Sequence, residues 1–131
     1  MKTEIELYRL AREAMEHAYA PYSGYCVGAA LETAGGEVYQ GANMENASYG
    51  ASICAERVAV CKAMYDGHKD FRAIAVCASG DDPAWPCGIC RQFIFEFGSS
   101  TLIITGPDEE HLETATIGEL LPRGFRLEVT K

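Results

Sequence analysis

Two stretches, Cys54-Ala55-Glu56-Arg57 and Pro86-Cys87-Gly88-Ile89-Cys90, each open a helix-like segment that follows a strand-like one. Strands separated by helices of these lengths predict an α/β layered sheet, and helix starts after strands are where such sheets keep their sites. Cys87 and Cys90, spaced C-x-x-C on a Gly-containing turn, can aim two sulfurs at one metal, and Cys54 offers a third from elsewhere in the chain. Three thiolates leave a tetrahedral zinc with one open position, the condition of a catalytic rather than a structural site. Glu56 then lies close to that position without having to bind the metal. Helix N-termini carry partial positive charge and free N–H groups, which favours thiolates at all three cysteines.

Working outward, Ile5, Leu7, Tyr8, Leu10, Ala11, Ala14, Met15 and Ala18 recur at helical spacing among charged residues. This predicts an amphipathic helix from Thr3 to about Ala18, with Thr3 and Glu6 as a capping box and Pro21 beyond its end. Val27 to Thr33 is small and apolar enough for a buried strand, and Ala34-Gly35-Gly36-Glu37 turns it into Val38 to Ala42, an antiparallel pair. The polar segment Asn43 to Gly50 is a loop. A helix from near Cys54 to about Tyr65 follows, stopped by Asp66-Gly67, then a doubly buried strand from Phe71 to Ala78 and an irregular crossing from Ser79 to Trp85. The helix that starts at the C-x-x-C turn carries Phe93, Ile94 and Phe97 before Gly98. Strands at 101–105 and 112–116 and a short helix at 117–121 complete the chain.

Bulk properties narrow the function classes. The chain has 131 residues, 48% hydrophobic and 23% charged, enough for one proper core and with no boundary to cut at, so one domain over 1–131 is expected. A formal net charge of -8 disfavours a nucleic-acid partner, which calls for a basic face. No apolar run approaches the roughly 20 residues of a membrane span. Met1-Lys2-Thr3-Glu4 leads into a charged amphipathic segment with no signal-peptide core, so a cytoplasmic protein is expected, and its six cysteines read as thiols and metal ligands rather than disulfides. Cys61 lies about 10 Å down the helix axis from Cys54 and cannot share its metal. Cys77 falls in an apolar run, the usual place of a buried thiol. Cys26 stands beside the candidate site as a loop or strand-start residue. His17, His68 and His111 fall outside every motif.

A zinc-activated water with a non-ligand Glu ahead of P-C-x-x-C is the known signature of zinc deaminases. The chain as a whole resembles the small cytidine deaminases that bind zinc through three cysteines and assemble as homotetramers. The resemblance is carried by Ala20-Pro21-Tyr22-Ser23, Val27-Gly28-Ala29-Ala30, Asn43-Met44-Glu45-Asn46-Ala47-Ser48-Tyr49, Cys54-Ala55-Glu56-Arg57, Pro86-Cys87-Gly88-Ile89-Cys90-Arg91-Gln92 and Glu119-Leu120-Leu121-Pro122, in order along nearly the whole chain. It implies a three-layer αβα sandwich around a mixed five-stranded sheet, and one zinc per chain on Cys54, Cys87 and Cys90. It also implies hydrolytic deamination of cytidine or deoxycytidine to the uridine product and ammonia, as in pyrimidine salvage.

The same resemblance implies that Glu56 is the proton carrier and that Arg57 hydrogen-bonds ligand sulfurs, with Arg91 a second candidate for offsetting their charge. It implies as well that Asn43 and Glu45 bind the ribose, that Tyr25 stands near the base, that Ala55 contacts the substrate and that Phe125 enters a neighbouring subunit's pocket. Three departures stand out: Tyr25 replaces a usual Phe, Trp85 precedes Pro86 where a small residue is common, and the tail after Phe125 differs. A deaminase of a cytosine-containing antibiotic nucleoside, of the blasticidin type, remains the alternative on those departures. A nucleic-acid editing deaminase would show basic or aromatic strand contacts, and a purely structural zinc module would need a fourth ligand, for which no residue stands at a usual spacing.

Overall fold

Thr3 starts the first helix through the capping box legible in its sequence: its hydroxyl accepts from Glu6 N, and the Glu6 carboxylate accepts from Thr3 N. In the computed structural model, which describes residues 1–127, this helix α1 spans Glu4–Ala14 and tightens into a 3₁₀ turn over Met15–His17. The predicted helix to Ala18 is therefore α-helical only to Ala14, because the closing turn uses i to i+3 bonding, Ala18 N to Met15 O. Strands β1 (Val27–Thr33) and β2 (Val38–Ala42) form the expected antiparallel hairpin, with Gly36 at φ 95° in its turn. Helix α2 (Ala55–Tyr65) ends where Gly67, at φ 90°, lets the N–H groups of Gly67 and His68 reach the Met64 and Ala63 carbonyls.

Strand β3 (Phe71–Ala78) and strand β4 (Leu102–Thr105) are the parallel pair of the sheet, joined through helix α3 (Gly88–Phe95). α3 stops short of Gly98, and Phe97, expected within it, packs edge-on against Phe71 at 5.2 Å between ring centres. Thr101, expected to begin β4, instead donates from its side chain to Phe71 O. β5 (Glu113–Thr116) and α4 (Ile117–Leu120) close the chain, α4 starting on a second capping box between Thr116 and Glu119. The sheet order is β2-β1-β3-β4-β5.

Alternation along the strands sorts their side chains onto two cores. Ala30, Ala73, Ala75, Cys77 and Ile104 meet α1 through Leu7, Tyr8 and Ala11. Ala29, Leu31, Ile74, Val76 and Ile103 meet Ala59, Val60 and Ala63 of α2, Ile94 and Phe95 of α3, and Ile117 of α4. Helix α1 thus forms one layer, the mixed sheet the second, and α2, α3 and α4 the third, as the α/β reading expects. Small residues set the spacing: a Cβ on Gly28 would stand 2.0 Å from Ala11 O, so α1 lies directly on the β1 backbone. Residues 128–131, most of the divergent tail, lie outside the described residues.

Candidate active site and metal centre

Two helices of the third layer, α2 and α3, begin at cysteines. Cys54 is the N-cap of α2 and Cys87 the N-cap of α3, each with extended backbone and no capping hydrogen bond from its side chain. Cys90 sits one turn into α3 and is fully buried. The three sulfurs lie within 4.8 Å of one another, the Cys54 and Cys87 Sγ atoms 3.8 Å apart. Zn–S bonds of about 2.3 Å at tetrahedral angles place sulfurs about 3.8 Å apart, so the donor set fits zinc in both chemistry and spacing. Cys61 is exposed and Cys77 buried beneath α1, both apart from the cluster, as expected.

The charge at the cluster is managed locally. Arg57 Nη2 lies 3.8 Å from Cys54 Sγ. Hydrogen bonding to Cys90, Arg57 and Cys87 overrides the cost of burial and lowers the Cys54 pKa to about 5, while Cys90 is shifted upward by its bond to Cys54 and by burial. Arg91, the second candidate for charge compensation, is used otherwise. Its Nε donates to Pro86 O at 2.7 Å and its Nη1 to Leu120 O at 2.9 Å, so it braces the C-x-x-C turn against α4.

Glu56 is the second residue of α2 and is 4% exposed. Burial pushes its pKa up to about 7, with the nearby Cys54 adding to the rise and Arg57 opposing it. It lines a cavity of about 550 Å³ together with Cys54, Ala55, Cys87, Tyr25, Asn43, Glu45, Val76, Ala84 and Trp85. That volume is in the range of small-molecule sites. The lining is mostly apolar, and its charged and amide groups are gathered at few points.

Two of those groups are more occupied than their sequence context suggests. Asn43 Oδ1 accepts from Val27 N at 2.8 Å while Nδ2 donates to Tyr25 O at 2.9 Å, so the amide clips the chain that carries Tyr25. Glu45 accepts from Tyr22 N and Ser23 N through one oxygen and from Ser23 Oγ through the other. The Ser23 hydroxyl bond lowers its pKa. Both residues border the cavity, yet their polar atoms already hold the 22–27 segment in place. Phe125 is absent from the cavity lining and 67% exposed, its carbonyl accepting from Gln92 Nε2 at 3.1 Å. Val76, Ala84, Ile53 and Ser52 also line the cavity and carry no sequence signal, since each is an ordinary apolar or small residue.

Comparison with known proteins agrees with this geometry. Residues 1–105 match the family model described as the cytidine and deoxycytidylate deaminase zinc-binding region. The chain is 46% identical over 123 residues to the cytidine deaminase of Halalkalibacterium halodurans, covering 93% of each sequence. It is 44% identical to that of Sporosarcina psychrophila, over 90% of this chain and 88% of the relative. Among solved structures, the cytidine deaminase from Burkholderia pseudomallei superposes with a TM-score of 0.90 at 42% identity, over 95% of this chain and all of that one. A region match that contains both cysteine segments, and full-length likeness in sequence and backbone, lead to one conclusion: this chain belongs to the cytidine deaminase family.

Proposed function

We propose that this protein catalyses the hydrolysis of cytidine and deoxycytidine to uridine or deoxyuridine and ammonia, as one catalytic domain over residues 1–131. The observation that supports this most directly is a three-cysteine cluster, two members of which, Cys54 and Cys87, line a nucleoside-sized cavity together with the buried Glu56. Cys54, Cys87 and Cys90 would hold the zinc, which when bound supplies the Lewis acidity that makes water a nucleophile near neutral pH. Arg57 and the N-termini of α2 and α3 offset the negative charge of the thiolates.

Glu56 accepts the proton that the attacking water gives up as oxygen bonds to C4 of the cytosine ring. It passes that proton to ring N3, then takes the remaining hydroxyl proton as the C4 carbonyl forms and gives it to the amine as the C–N bond breaks, so that one carboxyl serves alternately as base and acid. A group with a pKa near 7 suits both directions of transfer. The apolar walls, Tyr25, Val76 and Trp85 among them, exclude water from the base, and Ala55 borders it at the start of α2. Asn43 and Glu45 present the sugar side of the cavity. The carboxylate of Glu45 exchanges its Ser23 hydroxyl for a ribose hydroxyl, an exchange of one hydrogen bond for another.

We place the protein in the cytoplasm as a homotetramer acting on small-molecule nucleosides. No helix among the described residues is long and apolar enough to cross a membrane. The test is a direct comparison of cytidine, deoxycytidine and blasticidin S as substrates, with uridine product and ammonia both measured. Equimolar uridine and ammonia from cytidine supports the proposal. Turnover of blasticidin S in preference to both nucleosides would replace it with the antibiotic-nucleoside reading, to which Tyr25 and Trp85 lend shape.

A further inference from the structure

Residues 79–86, which contribute Ala84 and Trp85 to the cavity wall, have no regular secondary structure. Ser79 is tied to Cys26 at the segment's start, and Pro86 to Arg91 at its end. Between them, the stretch 80–85 makes one hydrogen bond among the described residues, from Ala84 N to Thr105 Oγ1 at 2.9 Å. That same hydroxyl donates to Val76 O at 2.9 Å. Thr105 is fully buried at the end of β4 and, by strand alternation, faces the same layer as Ile103. The parallel ladder stops one step earlier, at Ala75 and Ile104, so at this level the hydroxyl does what a backbone bond would otherwise do. Val76, Ala84 and the adjoining Trp85 all line the cavity.

We propose that Thr105, which does not itself line the cavity, is a positioning residue: its hydroxyl pins Ala84 to the sheet and so holds Trp85 and its neighbours as a wall against the nucleoside. This rests on the reading of the cavity as the nucleoside site. A threonine closing the apolar run Leu102-Ile103-Ile104 is otherwise a poor choice for a buried position, where valine has the same shape. Its one donor and its acceptor capacity are both used, as a buried hydroxyl requires. Removing the hydroxyl leaves the part-buried N–H of Ala84 and the buried carbonyl of Val76 without this partner, and the loop relaxes by exposing Ala84 N to water. The zinc ligands and Glu56 are held by other elements and keep their places.

The experiment compares Thr105→Val and Thr105→Ser with the parent, and Trp85 makes the loop directly visible because it is the chain's single tryptophan. Zinc content, acrylamide quenching of Trp85 emission and steady-state kinetics with cytidine are measured for each. Thr105→Val is expected to keep its zinc, show raised quenching of Trp85 and raise KM about tenfold with kcat little changed, the loss of one buried hydrogen-bonded pair. Thr105→Ser, which keeps the hydroxyl, should match the parent in quenching and KM. Unchanged quenching or unchanged KM in Thr105→Val overturns the inference, even if thermal stability falls, and so does a serine variant that behaves like the valine one. If Thr105→Val does not yield folded protein, Thr105→Ala is read by the same measurements. A parent that does not deaminate cytidine would sink the functional reading instead, and the quenching comparison would then decide the anchor by itself.

Discussion

Glu56 is an acid whose surroundings work against its charge. Its pKa rises from 4.5 to about 7 chiefly through burial, so ionising it in the folded protein costs on the order of 3 kcal/mol. The folded-state value lies above the unfolded one, so this stability is fully present below pH 4.5 and is lost as pH rises toward about 7. Glu56→Gln keeps the shape and removes the charge. With zinc removed from both proteins, the variant should melt several degrees above the parent at pH 8, the gap closing as pH falls to 5, as read by thermal unfolding at both pH values. As purified, it should keep zinc while kcat drops by at least about 10²-fold, the usual size of a general acid–base contribution. Near-normal turnover would remove Glu56 from the mechanism. Stability given up at a carboxyl that must change protonation state is the expected cost of an active-site acid.

At the scale of elements, the site depends on how closely α2 and α3 approach the sheet and on what caps them. A Cβ on Gly41 of β2 would stand 2.4 Å from Ala55 O and 2.6 Å from Ala59 N, so the first turn of α2 rests on bare backbone. Gly41→Ala must push that turn outward, carrying Cys54 and Glu56 with it. The expected result is a loss of about 2 kcal/mol or more of stability, typical of overpacking, together with weakened zinc retention on dialysis against a chelator. Parent-like retention would show that α2 can shift without disturbing the cluster. Both N-cap positions, Cys54 and Cys87, lack the side-chain hydrogen bond that a Ser or Asp would make there. The metal compensates, since it binds the folded arrangement of the two helix starts and not the unfolded chain. Stripping zinc should therefore lower the melting temperature by more than about 5 °C, and restoring it should recover the loss. A melting temperature indifferent to zinc would mean that the helix starts stand without it.

For the whole molecule, the question is what covers the mouth of the cavity. Tyr22 and Tyr49 stand at that mouth with their rings edge to face at 6.2 Å, and Tyr49 is 77% exposed. Phe125 and Leu127 are likewise exposed on the chain's own surface. A single small domain has limited surface with which to exclude water from a bound base. We expect a homotetramer in which Phe125 enters a neighbour's cavity, with Phe125→Ala raising KM while zinc content stays near one per chain. Light scattering that finds a fully active monomer at assay concentration would refute this, because each site would then be complete within one chain.

Local pattern alone leads to the element order, the α/β class and the metal trio. The capping box at Thr3, the hairpin at Gly35-Gly36 and the C-x-x-C turn are each written within a few neighbouring residues, and strand or helix periodicity is a property of short windows. The helix ends are less legible, as at Ala14 and Phe95, where packing and turn bonding decide the last residues. Other features exist only once distant segments meet. Burial of Glu56 beneath the cavity, the capture of Glu45 by Tyr22 and Ser23, the bracing of Pro86 and Leu120 by Arg91, and the Thr105 bond to Ala84 join residues far apart in the chain. A carboxylate, a guanidinium or a hydroxyl reads the same in sequence whether it faces water or a carbonyl in the fold. The partner that gives each its role is chosen by strand register and the packing of layers, which are properties of the assembled sheet and helices.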